Sequence, residues 1–405
     1  MITLILKYEL KKIFSKKPNQ VVLAVAVLLA VVFSIFAIRS IRYVDKQGVL
    51  HEGTLTAARC LASDKNQWKG TLTGEKIASV VKSRKEMVAK YPEDIPDTAF
   101  GETIQSYNDI SDFVINIMTP DSPWDKSVLY QLTDEQMGEL YNIYKNNMLK
   151  MSDEYGKTPE QQKFLMKQYE KIQMPITYEA PVSWDTMILY AETYEMVLAI
   201  VIGFLTAGIF AEEFRNRAES VYYSTKYGRS KATKNKILAG ILTTTIVYWT
   251  GAGILTLISF TVMGTSGMHT PYQLMFPYSI YSMTFGQYYL LILICGYIAS
   301  LLTASTAMLT TAKMHTPYVA VCIPFFMLCV LPFIARALPS FAAFFNLMPC
   351  VLTNILNCAR TPILYQIGNT VFRQIPLVIT LYTALSILLL PFVYRCYCRY
   401  GLKKE

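Results

Sequence analysis

Residues 211–238 read AEEFRNRAESVYYSTKYGRSKATKNKIL and form a densely charged stretch between two long hydrophobic stretches. Basic residues within about twenty residues of a membrane-spanning helix stay in the cytoplasm, according to the positive-inside rule. The stretch therefore predicts a cytoplasmic loop between two membrane-spanning helices. Its seven basic residues are Arg215, Arg217, Lys226, Arg229, Lys231, Lys234 and Lys236.

The composition places the chain in the membrane class. Hydrophobic residues make up 53% of its 405 residues and the mean hydropathy is +0.29, an apolar load that is unusual for a soluble protein. The net charge of +9 is unevenly spread: residues 41–186 hold 22 acidic against 17 basic residues, or −5, which leaves +14 elsewhere. This asymmetry fits basic cytoplasmic loops with an acidic domain on the opposite side, and no nucleic-acid partner is expected.

Six segments are long and apolar enough to cross a bilayer, which takes about 20 residues in a helix. They are residues 21–38, 187–211, 237–263, 288–312, 317–338 and 376–395. Both termini are predicted to be cytoplasmic because basic residues precede span one, separate spans four and five, and follow span six. The nearly base-free loops 264–287 and 339–375 are predicted to be external. The basic residues are Lys7, Lys11, Lys12, Lys16, Lys17, Lys313, Arg399, Lys403 and Lys404.

The first sixteen residues predict an amphipathic helix. Leu6, Leu10, Ile13 and Phe14 fall on one helical face, with lysines beside them. A basic helix of this kind prefers the plane of the membrane interface, where it contacts lipid. The alternative is a flexible basic tail.

About 145 residues between spans one and two predict a compact, mainly helical external domain. Thr133 with Gln136 predicts one capping box, and Thr158-Pro159 with Gln161 predicts a second. Helical spacing links Ile104, Tyr107, Ile110, Val114 and Ile117, and the separating prolines are Pro92, Pro96, Pro120 and Pro123.

Two apparent catalytic motifs each lack a required residue. Gly156-Lys157-Thr158 resembles the end of a phosphate-binding loop, but the required earlier glycine is Met151. His51-Glu52 resembles the start of a zinc-protease motif, but the second histidine would fall at Leu55. The chain is therefore not expected to be an enzyme or to hold a metal or another cofactor.

The small residues of two spans suggest close packing of helices. Small residues at four-residue spacing allow helices to approach closely, either within one subunit or at a dimer interface. They are Gly203, Ala207 and Ala211 in span two, and Gly296, Ser300 and Ala304 in span four.

Glu192 and Glu195 lie near the outer end of span two. An acid within a spanning helix is costly unless it faces a cavity or a partner, so both are candidates for lining a pathway for cationic cargo. The alternative is that the helix is entering the headgroup region there and both acids are hydrated.

Residues 339–375 are apolar but interrupted by Pro349, Pro362 and Gly368. Unpaired backbone is tolerated at membrane depth only when it is buried in protein or lines a cavity. The segment predicts short re-entrant helices, with a surface loop as the alternative.

The whole chain resembles a type-2 ABC transporter permease, the membrane subunit of an exporter whose ATPase is a separate protein. The resemblance rests on the N-terminal interfacial helix, the six spans, and Glu213, Arg229 and Lys236-Ile237-Leu238 after span two. This sequence has Lys226 where the family usually has proline, and Ala218-Glu219 where it has a Gly-Thr pair. The long insertion is similar to that of the sodium, drug and antimicrobial-peptide exporters in this family.

The resemblance implies that residues 212–236, here called the coupling segment, contact a cytosolic ATPase that carries the ATP and magnesium. It also implies a second permease subunit, in a homodimer or a heterodimer. A loop resting on anionic lipid is the alternative for this segment, although its interleaved tyrosines suit a protein contact better. The implied coupling residues are Glu213, Arg215, Arg217, Glu219, Tyr223, Tyr227 and Arg229.

The predicted fold class is an all-α integral protein of the cell membrane. Its predicted parts are an interfacial helix at 1–20, transmembrane helix one at 21–40, an external domain at 41–186, transmembrane helices two to six at 187–395, and a cytoplasmic tail at 396–405. The expected function is export of a peptide, drug, lipid or cation. The alternative is a membrane sensor or immunity protein whose external domain binds a peptide without transport.

Overall fold

The computed structural model describes residues 2–120, 122 and 125–400. The predicted tail is therefore described only to Tyr400, and Pro123, Lys403 and Lys404 lie outside the described residues. The chain is 74% helical with few short strands, and six helices are long and apolar enough to cross a membrane. The prediction of a mainly helical protein with six candidate spans is confirmed.

Two consecutive helices open the chain, α1 at Ile2–Ser15 and α2 at Lys17–Ser40. Lys16 between them has an extended backbone, and a proline in the first turn of α2 suits the start of a helix. Ile13 is buried in a small apolar cluster that also holds Phe210, with Leu10 packed against it. The first helix therefore packs against the rest of the protein through its apolar face, and the segment is not an irregular tail.

The inserted domain, residues 41–181, contains eight helices and two short antiparallel strand pairs among its described residues. Its helices are α3 Ala57–Lys65, α4 Gly74–Lys90, α5 Asp97–Glu102, α6 Asn108–Met118, α7 Val128–Gln131, α8 Asp134–Gly138, α9 Leu140–Tyr155 and α10 Pro159–Tyr169. The strand pairs are β1 Arg42–Val44 with β2 Leu50–Glu52, and β3 Gly70–Thr71 with β4 Thr177–Tyr178. Short 3-10 turns cover Asn66–Trp68 and Ile104–Tyr107.

Local sequence signals in this domain correspond to observed structure. The five residues linked by helical spacing, Ile104, Tyr107, Ile110, Val114 and Ile117, are each at most 1% exposed. They therefore belong to the core of the domain. The Thr133 hydroxyl accepts from the Gln136 amide while the Gln136 side chain accepts from the Thr133 amide, which completes the predicted capping box. At Thr158 the hydroxyl cap is present, but the Gln161 side chain accepts from Lys157 instead.

The remainder of the chain forms a bundle of long helices with short connecting elements. Its helices are α11 Val182–Ala207, α12 Glu212–Arg215, α13 Glu219–Ser224, α14 Thr233–Met263, α15 Phe285–Met314, α16 Pro317–Phe325, α17 Leu331–Ala337, α18 Ala342–Phe345, α19 Ile355–Arg360 and α20 Gln374–Cys398. A π turn at Gly228–Ala232 leads into α14, and a second at Phe326–Val330 joins α16 to α17. Further 3-10 turns cover Tyr272–Leu274, Pro339–Phe341 and Pro349–Thr353.

Helices α11 and α15 form the centre of the bundle. They pack along each other, α15 also contacts α14, α16 and α20, and α11 also contacts α2, α14 and α16. Among the candidate spans, the joined α16–α17 helix has the smallest buried share. Most of its surface is therefore free to contact lipid or another chain.

The two ends of the bundle carry different parts of the chain. At one end the inserted domain contacts the bundle loops, for example through the Asn66 side-chain amide, which donates to the Ser266 hydroxyl at 2.8 Å. The same end holds residues 338–373, and the Thr158 hydroxyl donates to Gln366 there at 2.7 Å. The opposite end holds α1, the coupling segment and the last turn of α20.

Residues 339–375 contain short helices, as predicted, and also an unpredicted β-hairpin. Strand β5 at Leu364–Ile367 pairs with β6 at Thr370–Arg373. The two-residue turn between them begins with Gly368, whose φ of 59° lies in the left-handed region that glycine adopts readily. The hairpin stands immediately before α20.

Candidate functional site

A fully buried lysine ties three parts of the chain together at the end that carries α1. Lys236, in the first turn of α14, has 0% of its surface exposed. Its ammonium lies 2.7 Å from Glu213 Oε1 and 3.4 Å from Glu9 Oε2, and it donates to the Ile209 carbonyl at 3.1 Å. A buried charge persists only when it is paired and hydrogen-bonded, so these contacts fix α14 to α1 and to the coupling segment.

The Glu213 carboxylate is the centre of this network. Its second oxygen accepts from the Tyr397 hydroxyl at 3.0 Å, and Lys12 Nζ lies 3.7 Å from its first. Burial alone would raise the pKa of Glu213, but the nearby Lys236 and Lys12 cations outweigh it and hold the pKa below its ordinary value. Glu213 therefore links α1, α12, α14 and α20 as a carboxylate.

The pKa of Lys12 shifts in the opposite direction to the pKa of Glu213. Burial would lower its pKa, but Glu9, 3.3 Å away, together with Glu213 raises the pKa above its ordinary value. The cation is held at the edge of the network, where its side chain is 43% exposed.

An aromatic cluster surrounds the charged network. The Phe214 ring lies 3.8 Å from the His315 ring and 4.8 Å from the Tyr400 ring, measured between centroids. Tyr223 stacks on Tyr400 at 5.6 Å, and burial raises the pKa of the Tyr223 hydroxyl. The rings fill the space between the coupling segment and the end of α20, so the segment packs as part of the protein.

Arg229 caps the C-terminus of α20. Its Nη1 donates to the carbonyls of Cys398 at 2.7 Å and of Tyr400 at 2.8 Å, and its guanidinium lies 4.4 Å from the Tyr223 ring centroid. The last carbonyls of a helix lack partners within the helix, and a basic side chain that binds them also suits the negative end of the helix dipole. Arg229 therefore joins the coupling segment to the last helix.

The other face of the coupling segment is basic and exposed. Val221 in α13 is 67% exposed, and Glu219 and Tyr227 are half-buried. The ammonium groups of Lys226 and Lys231 lie 5.7 and 4.7 Å from the Tyr227 ring centroid. The exposed basic residues of this face are Arg215, Arg217, Lys226, Lys231 and Lys234.

The seven predicted coupling residues thus divide between the two faces. Glu213 is 6% exposed and faces the interior, while Tyr223 and Arg229 contact α20. Arg215 and Arg217 are exposed, and Glu219 and Tyr227 are half-buried. The sequence reasoning therefore grouped residues that face the interior with residues that are free to contact a partner.

Three residues of the network were missed as site residues: Glu9, Lys12 and Tyr397. Glu9 is the only acid in α1, and a lone acid in a basic helix is a signal for a buried partner. Lys236 was noted only as a basic residue of the stretch and as a family match, although a lysine at the start of a long apolar helix raises the same question of what pairs with it.

The two acids of span two are buried. Glu192 is 7% exposed, and its Oε1 accepts from the Leu356 amide at 2.6 Å. Glu195 is 1% exposed, and its carboxylate lies beside Gly296 and the Tyr248 hydroxyl. The alternative that both acids are hydrated is wrong, whereas a role in a pathway stays a prediction.

The small residues of the two seams face neighbouring helices of the same chain. A Cβ on Gly203 would lie 3.2 Å from Pro324 Cγ, and Ala207 shares a buried cluster with helix α15 and α16 residues. Gly296 leaves the space that the Glu195 carboxylate occupies. The remaining small residues of this seam, Ser300 and Ala304 in α15, are at most 1% exposed.

No group of three or more His, Cys, Asp or Glu residues that could hold a metal ion occurs in residues 2–120, 122 and 125–400. Comparison of the chain with protein-family models, with curated proteins and with solved structures returns no match. The functional assignment therefore rests on the residues and contacts of the chain itself.

Proposed function

We propose that the chain is the transmembrane permease subunit of an ATP-driven ABC exporter. It pairs with a separate cytosolic ATPase, which binds ATP and magnesium, and with a second permease subunit. The end that carries α1 and both termini faces the cytoplasm, and the inserted domain is external. The cargo is a peptide, drug, lipid or cation, and Glu192 and Glu195 favour a cation if they line its path.

The two-faced coupling segment is the observation that carries this proposal. Its outer face offers exposed basic side chains, while its inner face holds Glu213 against Lys236 and Arg229 against the end of α20. A push on the outer face would therefore reach α14 and α20 through charge-assisted contacts, which are stronger than neutral ones. ATP-driven closure of an ATPase pair supplies such a push.

The lipid-bound loop is the weaker alternative for the same segment. Basic residues on a free loop are enough to attract anionic lipid. Such a loop has no need for a fully buried lysine between two glutamates, or for an arginine that caps a distant helix. The inner face is therefore better explained by a segment that transmits force.

Purification from the native host, followed by mass spectrometry of bound proteins, tests the proposal. An ATPase with a phosphate-binding loop should co-purify. Reversing two exposed charges, Arg215→Glu with Arg217→Glu, should reduce its recovery about tenfold or more, because like charges at an interface weaken pairing. The amount of permease in the membrane should not change.

The matched control is Lys163→Glu with Lys167→Glu, which reverses two exposed charges on α10 in the inserted domain. This variant should retain the ATPase. If no ATPase co-purifies with the wild-type chain, the sensor alternative replaces the exporter. Full recovery with the Arg215 and Arg217 variant would contradict the role of the outer face.

A further inference from the structure

A cavity of about 640 Å³ lies beside the junction of α1 and α2, at the end of the bundle that carries the coupling segment. Its walls come from the start of α2, the last turn of α11 and the start of α16, and they are mostly apolar. Phe204, Tyr318 and Val321 contribute to this apolar wall. Pockets of about 300–1,000 Å³ hold small molecules, so the cavity has room for part of an amphiphile.

The position of the cavity matches the edge of a bilayer. Three candidate spans begin or end at it: α2 at Lys17, α11 at Ala207 and α16 at Pro317. The ends of spans lie where the hydrocarbon core meets the lipid headgroups. The cavity therefore opens at headgroup level, in the leaflet on the same side as α1.

The rim of the cavity is positively charged. Lys16, Lys17 and Arg215 line it together with one acid, Glu212. The Lys16 ammonium is paired with Glu212 at 2.9 Å, which leaves Lys17 and Arg215 without an ion-pair partner among the described residues. The lining thus carries two uncompensated positive charges.

Two helix starts add to this positive potential. The first turns of α2 and α16 both line the cavity, and no side chain caps either helix at Lys16 or Thr316. The free amide groups at the start of a helix carry partial positive charge and attract anions. They supplement the basic side chains at the same rim.

We propose that this cavity binds an anionic phospholipid from the leaflet on the side of α1. The phosphate lies between Lys17, Arg215 and the helix starts, and an acyl chain lies along Phe204 and Tyr318. A basic pocket between membrane helices is the setting in which anionic headgroups bind, while the apolar wall has no role in binding a soluble phosphate. The bound lipid joins the start of α2 to the coupling segment, whether or not the chain transports anything.

Native mass spectrometry of the purified full chain in detergent tests this site, with phosphatidylglycerol and phosphatidylcholine as probes. The wild-type chain should retain phosphatidylglycerol in preference to phosphatidylcholine. Lys17→Gln with Arg215→Gln should reduce this retention about tenfold or more, because both uncompensated charges are lost. Lys7→Gln with Lys11→Gln removes two exposed charges of α1 outside the cavity and should retain the lipid.

Three results would overturn the proposal. They are equal retention of the two lipids, unchanged retention by the Lys17 and Arg215 variant, and displacement of phosphatidylglycerol by glycerol 3-phosphate. The last result would assign the site to a soluble phosphate. All are measured on the chain without an ATPase, so they are independent of the exporter proposal.

A thiol measurement serves if the double variant does not fold. Cys322 is exposed and lines the cavity, whereas Cys396 in α20 is exposed outside it. In chains that retain only one of these cysteines, phosphatidylglycerol should slow alkylation of Cys322 by N-ethylmaleimide and leave Cys396 unaffected. Equal rates in phosphatidylglycerol and phosphatidylcholine at Cys322 would contradict the site.

Discussion

Lys236 places a full charge where none of its surface is exposed, and it is stable there only because of what surrounds it. Two carboxylates, Glu213 and Glu9, and the Ile209 carbonyl together replace the water that its ammonium group loses. Burying a charge pair adds little stability by itself, but removing one partner leaves the other unpaired in the interior. The network therefore specifies one arrangement of the helices more than it strengthens the fold.

Replacing the buried cation should be far more costly than replacing its exposed neighbour. Lys236→Met should lower the stability by about 3–5 kcal/mol because Glu213 and Glu9 lose their buried partner. Lys234→Met, at an exposed position two residues earlier, should change it by only about 0.5 kcal/mol or less. Thermal unfolding of the detergent-purified variants measures both.

The double variant Glu213→Gln with Lys236→Met provides the internal check. It removes both charges of the closest pair and should recover part of the stability that Lys236→Met loses. A wild-type melting temperature for Lys236→Met would contradict the ion network.

The pH dependence of stability should show the contribution of Glu213. Its pKa in the folded state is lowered from 4.5, so the unfolded state binds more protons in the window between the two pKa values and stability rises with pH there. The wild type should be more stable than Glu213→Gln above pH 4.5, and the difference should shrink as the pH falls through the lowered pKa. Thermal unfolding across this range measures it, and a difference that grows on acidification would show a raised pKa instead.

Helices α11 and α15 pack closely at Gly296, which has no side chain. Gly296 of α15 has no Cβ, and the Glu195 carboxylate of α11 lies in that space, with the Tyr248 hydroxyl of α14 beside it. The hydroxyl donates to the Leu293 carbonyl at 2.5 Å, which holds it in position. Three helices therefore depend on one glycine.

Gly296→Ala should be destabilising although alanine favours helices. The new Cβ would lie 2.7 Å from the Tyr248 hydroxyl and closer still to the Glu195 carboxylate. Gly253→Ala in α14 is the matched control, because no atom lies within 4 Å of its added Cβ. The two variants should differ by about 1–3 kcal/mol in thermal unfolding, the usual cost of overpacking.

Shortening the opposing side chain should relieve this clash. The double variant Glu195→Ala with Gly296→Ala should be more stable than the single variant Gly296→Ala, because the carboxylate no longer occupies the space. Equal stability of the Gly296 and Gly253 variants would show that α15 is not held closely at this point.

Elements that depend on local pattern were predictable from the sequence, and their ends were less so. The span predicted at 288–312 is Phe285–Met314, whereas that predicted at 187–211 is Val182–Ala207. The second is shifted toward the N-terminus, because the helix starts directly after Pro181 and Gly208 follows its last turn. The hairpin at 364–373 was missed although Gly368-Asn369, between two apolar runs, is a known two-residue turn signal.

The two ends of the molecule carry separate kinds of surface. One carries the inserted domain and the hairpin, and the other carries the basic coupling segment, the charged network and the cavity beside α2. Helix α1 and the last turn of α20 lie at the same end, where both contact Glu213. The proposed orientation puts that end in the cytoplasm.

Thiol labelling of intact cells tests this orientation. In a chain without its native cysteines, Lys150→Cys on α9 should react with an impermeant reagent from outside, because it is exposed on the inserted domain. Lys226→Cys in the coupling segment should react only after the membrane is permeabilised. The reverse pattern would mean that the whole molecule is inverted.

The candidate site was only partly predictable because its partners are distant along the chain. Charge pattern alone located the coupling segment. It could not pair Glu9 with Lys236, 227 residues later, or Arg229 with Cys398, 169 residues later. Such pairs are set by which helices become neighbours, and a single sequence does not specify that.

The cap that Arg229 provides for α20 also has a consequence for how the protein is made. Residues 374–400 leave the ribosome well after the coupling segment, so Arg229 and Tyr223 wait for partners that do not yet exist. An unfinished chain would therefore display a loose basic loop, and the segment would reach its final form only when the sixth span has been inserted. Assembly with the proposed partner at this segment would in this way be delayed until α20 has been made.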